Sequence, residues 1–152
     1  MLIEKALRDE GTSYHYLPPS EFSRMPSGLN QCLRGAFNDF PEPVYRGATW
    51  TTDAPFRETE TAIKRCRELG ILAVEMEAAA LYAFASARRK PVVCFAHVTN
   101  QMARIEGDFE KGAANGAHDA LALVAAVMRR YDSAGGAKVS EPRSGAKIRV
   151  RK

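Results

Sequence analysis

Residues 74–85 read VEMEAAALYAFA, in which two acids, Glu75 and Glu77, flank Met76 where a short apolar run gives way to an alanine-rich one. Ile71–Val74 ahead of them has the make-up of a short buried strand, and Glu77–Arg89 behind them that of a helix. The neighbouring segments repeat this alternation. Upstream, Arg57–Leu69 is a charged amphipathic helix with Ala62, Ile63, Cys66 and Leu69 on one face and Gly70 just past its end. Before it, Pro43–Thr52 (PVYRGATWTT) is β-branched and aromatic, a strand weakened only by Gly47. Ser27–Phe37 can form a helix capped by Ser27, and Arg8–Pro19, with Gly11 and the Pro18-Pro19 pair, reads as a loop after the apolar lead-in Met1–Leu7. Downstream, Pro91–His97 (PVVCFAH) reads as another strand, and Asp108–Tyr131 as a long terminal helix packing through Leu121, Val124, Ala125 and Met128.

Strands alternating with helices imply an α/β sheet covered by helices on both faces. In such sheets ligands lie beyond the carboxyl ends of the strands. Three strand ends carry polar residues that apolar packing does not explain: Thr52-Asp53, Glu75-Met76-Glu77 and His97-Val98-Thr99-Asn100. They are expected to converge.

Composition sets the class. The 152 residues are 45% hydrophobic and 26% charged, as in one ordinary globular domain, and no run approaches the roughly 18 to 20 apolar residues of a membrane span. The N-terminus lacks a signal peptide's layout, so a cytoplasmic protein is expected. Cys32, Cys66 and Cys94 match neither a disulfide framework nor a metal-ligand spacing, and no metal is expected. The net charge of +4 resides in residues 132–152, where six Lys/Arg face two acids; the remaining 131 residues carry sixteen of each sign. That tail, rich in Gly, Ser and Pro, is expected to be disordered, leaving 1–131 as the folded unit. With a neutral body and no aromatic residues interleaved in the tail, neither nucleic acid nor membrane is an expected partner.

The acids of the central stretch admit two readings. They can cap the following helix and meet its dipole, or they can accept the paired hydroxyls of a sugar. The stretch resembles the signature of the nucleoside phosphorylase superfamily, which includes uridine and purine nucleoside phosphorylases and related nucleosidases. Arg8-Asp9-Glu10-Gly11-Thr12-Ser13 is similar to that family's RxxGxS loop, Thr51-Thr52-Asp53 to its strand-end motif, and Val98-Thr99-Asn100 to its base-facing segment. The resemblance spans about residues 1–131 and implies a three-layer α/β/α fold with a mixed central sheet.

It further implies that Glu77 receives the 2′ and 3′ hydroxyls of ribose, with Met76 packing on the sugar and Glu75 contributing. Thr52, Asp53, Phe56 and Asn100 would then face the base, with Asn100 hydrogen-bonding it as it leaves. Inorganic phosphate would be a co-substrate, touched by Arg8, with no other cofactor. Phe56 is also readable as a packed aromatic, and His97 as a satisfied core histidine.

Three departures bear on this. The Gln-x-Arg pair that reads uracil is replaced by Ala54-Pro55-Phe56-Arg57-Glu58-Thr59-Glu60, and Asn100 stands where some purine-specific members use an Asp acid. The family's leading strands, with their phosphate loops, would lie before Met1, so the chain corresponds to the C-terminal portion of such a domain. The expected activity is therefore phosphorolysis of a nucleoside by a homo-oligomer, with a hydrolytic nucleosidase or a non-catalytic ribose-binding remnant as alternatives.

Overall fold

The computed structural model of the chain describes residues 1–99 and 113–136. Its centre is a four-stranded mixed sheet in the order β2-β1-β3-β4, from β1 (Leu2–Asp9), β2 (Phe22–Arg24), β3 (Arg46–Thr52) and β4 (Ile71–Glu75). β1, β3 and β4 run parallel and β2 is antiparallel to β1, so three strands end at the same edge. The helices are α1 (Ser27–Cys32), α2 (Glu60–Glu68), α3 (Ala78–Arg88) and α4 (Ala117–Ser133).

Two apolar clusters make the layers. On one face Leu2, Ile3, Ala6, Leu29, Leu33, Tyr82 and Ala126 join β1 to α1, α3 and α4. On the other, Ala48, Trp50 and Ile71 pack on Cys66 of α2. The expected α/β architecture with helices on both faces is therefore present. α2 starts at Thr59, whose hydroxyl accepts the Ala62 N–H, and stops before Gly70 at φ +68°, a left-handed turn glycine adopts without strain.

One irregularity decides which way the functional residues point. β3 pairs with β4 as Ala48 with Ile71, then slips at Leu72 so that Thr49, Trp50 and Thr51 pair with Ala73, Val74 and Glu75. Because side chains alternate faces, the slip moves Ala73 and Glu75 onto the α3 side beside Thr49 and Thr51. Gly47 makes room for it: a Cβ there would lie 2.7 Å from Leu72 Cδ1. The glycine that weakens the strand in sequence thus admits the bulge.

The structure corrects several expectations. Met1–Leu7 is not a lead-in but most of β1, the strand between β2 and β3. Residues 91–97 form no strand; one antiparallel bridge joins Phe95 to Leu2, and the Cys94 N–H is bonded by the Tyr82 hydroxyl at 3.1 Å instead of by a ladder. Since Ile3 N–H donates to Cys94 O and Ala96 N–H to Met1 O, the segment runs against β1. His97-Val98-Thr99 therefore lie at the amino ends of the parallel strands, and the third strand end does not converge with the other two. His97 is exposed, its ring against Gly116, rather than in the core. On α4, Leu121, Val124, Ala125 and Met128 face outward, and Leu123, Ala126, Val127 and Tyr131 pack instead. The helix carries two apolar stripes, and the one facing α1 is buried. α4 extends to Ser133, while residues 137–152, the basic part of the tail, lie outside the described residues.

All three cysteines are free thiols. Burial raises the Cys66 thiol pKa above its usual value and pushes Cys94 up to about 11, which keeps both neutral and unreactive. Tyr82 is wholly buried and its hydroxyl donates to Ile3 O, tying α3 to β1 and to the 94 segment together. Tyr82→Phe strands a buried carbonyl and a buried N–H and is expected to destabilise the fold by about 1 to 3 kcal/mol, read by chemical denaturation.

Candidate active site

The carboxyl ends of β1, β3 and β4 bring together Asp9-Glu10-Gly11, Thr52-Asp53 and Glu75-Met76-Glu77. The two acids of the central stretch have different surroundings. Glu75 lies inside the junction: Oε1 accepts from the Thr49 hydroxyl at 3.0 Å and from the Thr51 hydroxyl, and Oε2 from the backbone N–H of Glu77 at 2.8 Å and of Ala78 at 2.6 Å. Thr51 Oγ1 in turn accepts the Ala79 N–H at 3.0 Å. A helix begins with N–H groups that lack intrahelical partners, and here Glu75 and Thr51 satisfy those of α3 from outside. Four donors occupy the Glu75 carboxylate, about the number it can accept.

Glu77 is the N-cap residue of α3 by position, yet its side chain makes no capping bond. It is exposed, and no hydrogen bond or ion pair among the described residues engages its carboxylate. Capping by Glu75 thus leaves Glu77 available to a ligand. Met76 beside it is half-exposed. The capping reading is realised by Glu75 and not by Glu77.

Across the sheet edge, Asp53 Oδ2 accepts the Gly11 N–H at 3.2 Å, and the buried Thr52 hydroxyl accepts the Ala54 N–H at 3.1 Å. The first bond holds the β1 and β3 exits side by side, and the second fixes the turn after β3. Phe56, in the 3-10 turn Pro55–Arg57, is fully exposed, which removes the reading of it as a packed aromatic. Asn100 lies outside the described residues.

Arg8 is buried and engaged within its own loop. Nε donates to Ser13 Oγ at 2.8 Å, Nη1 to Pro18 O and Ser20 Oγ at 2.7 Å each, and Nη2 to Leu17 O at 3.2 Å. The guanidinium also stacks 4.1 Å from the Tyr14 ring. It organises residues 12–20, whose 3-10 turn packs on α3. Glu10 is buried next to this loop; Oε2 accepts the Ser13 N–H at 2.9 Å, and Oε1 has no partner among the described residues. A cavity of about 410 Å³ lined by Asp9, Trp50, Arg65 and Cys66 opens on the α2 side, across the sheet from Glu77. Among the described residues no cluster of three or more His, Cys, Asp or Glu side chains is arranged to hold a metal ion. No described helix is long and apolar enough to cross a membrane.

Thr49 and Glu10 are the site residues that reading the sequence overlooked. The signal for Thr49 is the alternation of Thr49 and Thr51 with the buried Ala48 and Trp50, which puts both hydroxyls on one face of β3.

A family model described as the phosphorylase superfamily matches residues 1–129, and the chain belongs to that superfamily. Among matching solved structures is the crystal structure of AMP nucleosidase from Bacteroides thetaiotaomicron, with a TM-score of 0.69 at 22% identity over 88% of this chain. At that identity the likeness is one of fold. The chain spans 55% of that protein's length. No curated protein matches.

The unequal surroundings of the two acids predict unequal effects on stability. Glu75→Ala removes the acceptor for two hydroxyls and two helix N–H groups and is expected to lower unfolding free energy by about 2 to 4 kcal/mol. Glu77→Ala should stay within about 0.5 kcal/mol of the native chain in the same urea titration.

Proposed function

We propose that this chain is a pentosyl-transferring enzyme that cleaves the N-glycosidic bond of a nucleoside with inorganic phosphate as acceptor, in the cytoplasm and with no further cofactor. The observation that carries the reading is the unengaged Glu77 carboxylate at the strand ends, beside a helix start already capped by Glu75. Breaking the bond places positive charge on the ribosyl ring. A carboxylate that accepts the 2′ and 3′ hydroxyls fixes the sugar through charge-assisted bonds and favours that charge as it develops. Met76 packs on the sugar, and the exposed ring of Phe56 stacks on the base.

Thr52 and Asp53 are assigned to the base side, where Asp53 holds the β3 exit against Gly11 and Thr52 fixes the turn to Ala54. To Asn100 we assign the hydrogen bond to the departing base, since an amide both donates and accepts. Arg8 is the residue of this chain assigned to phosphate.

One observation favours a second reading. The Arg8 guanidinium donates to three carbonyls and two hydroxyls of its own loop, which leaves little of it for an anion and suits a nucleosidase that uses water. Phosphate dependence separates the two. Release of base from inosine, adenosine or uridine, followed by ultraviolet absorbance, is expected to require phosphate and to fall by about a hundredfold or more in Glu77→Ala. Release without phosphate assigns hydrolysis, and turnover undiminished in Glu77→Ala refutes the role of that carboxylate.

A further inference from the structure

Away from the carboxyl ends of the strands, the sheet sets two cations face to face. β1 and β2 pair in a register that puts Lys5 directly opposite Arg24. Like charges opposite each other in an antiparallel pair lie about 5 Å apart at Cβ and oppose the pairing. Neither forms an ion pair among the described residues. Both lean instead on one ring, that of Phe22, with Lys5 Nζ 4.3 Å and the Arg24 guanidinium 5.7 Å from its centroid. A cation that guards a sheet edge accounts for Arg24 on the outer strand β2, but not for Lys5, which lies on β1 inside the sheet.

The pair opens on a cavity of about 300 Å³, within the size range of small-ligand sites, whose other polar side chains are Glu4, Ser27 and Asn30. Arg46 decides what these can offer. Its guanidinium pairs with Glu4 Oε1 at 3.0 Å and donates to Asn30 Oδ1 at 2.6 Å. The one acid of the lining is thereby neutralised and the one amide acceptor is taken. What remains is a set of donors: Lys5, Arg24, the Asn30 Nδ2 group and the Ser27 hydroxyl, none of which hydrogen-bonds another described residue through its side chain.

We infer that this cavity is an anion site that takes a phosphate group, free or as a phosphate monoester. A phosphate dianion brings the double charge that two cations match and at least three oxygen acceptors for the donors around it. A carboxylate leaves one of the two cations uncompensated. Binding relieves the repulsion between Lys5 and Arg24, so phosphate stabilises the pairing of β1 with β2. The cavity reaches Gly47 near the start of β3, whereas Glu77 lies past the carboxyl ends of the strands, so the two sites are distinct and the inference does not rest on the reading of Glu77.

Amide NMR of the ¹⁵N-labelled full chain, titrated at constant ionic strength with inorganic phosphate and separately with methyl phosphate, tests the site by position. Saturable shifts are expected at residues 5, 24, 27 and 30, with the dissociation constant raised about fivefold or more in Lys5→Gln and in Arg24→Gln. Saturation by both ligands assigns the site to the phosphate group of an ester as well, and saturation by inorganic phosphate alone assigns it to the free anion. Thermal melting separates recognition from bare surface charge. Without phosphate, Arg24→Gln is expected to melt no lower than the native chain, because it removes a repulsion. Saturating phosphate should raise the native midpoint by about 2 to 5 °C and move that of Arg24→Gln by less than about 1 °C. Should Lys5→Gln not fold, Arg24→Gln, exposed on the edge strand, carries the test. Absence of saturable shifts at residues 5, 24, 27 and 30 overturns the inference, as do shifts confined to residues 9–13 and 75–78, or binding undiminished in Arg24→Gln.

Discussion

The arrangement of the candidate site depends on the Glu75 carboxylate having four donors. Two threonine hydroxyls of β3 and two N–H groups at the start of α3 converge on it, so one side chain joins two strands to a helix. A helix start without a capping partner would leave orphan donors at the sheet edge or recruit the nearest acid, which is Glu77. Because Glu75 fills that role, the second acid stays clear of the backbone. The sugar-binding assignment of Glu77 is a consequence of where Glu75 points.

Where Glu75 points is set by a register event between β3 and the edge strand β4. Were β4 to continue the phase of Ile71, which lies with Ala48 on the α2 side, Glu75 would keep a different set of neighbours from Thr49 and Thr51. The slip at Leu72 changes that phase, and Gly47 on β3 is the position that gives Leu72 its space. A local packing allowance thus controls which side of the sheet receives a charge.

The junction at residues 74–85 is legible in sequence because a strand, two acids and an alanine-rich helix each have their own composition. The division of roles between the acids is not, since it follows from the slip at Leu72, and periodicity carries no sign of a one-residue bulge. Similar limits explain the other differences. The apolar run at 91–97 suits a strand, but Tyr82, distant in sequence, takes the Cys94 N–H and ends the pairing at one bridge. α4 has two apolar stripes, and composition does not say which one meets α1. The resemblance assigns Arg8 to phosphate, whereas the loop it precedes folds back to supply five acceptors. Membership of the phosphorylase superfamily was legible from the order of the motifs, none of which is specific alone.

The central claim is that Glu77 recognises the vicinal hydroxyls of a ribose while Glu75 maintains the site. Isothermal titration of the chain with inosine and with 2′,3′-dideoxyinosine addresses it directly, because the two ligands share a base and differ only in the groups Glu77 would hold. Inosine is expected to bind, the dideoxy analogue to lose affinity by about tenfold or more, and the difference to disappear in Glu77→Gln. Equal affinities in the native chain, or a preference for inosine that survives in Glu77→Gln, would contradict it.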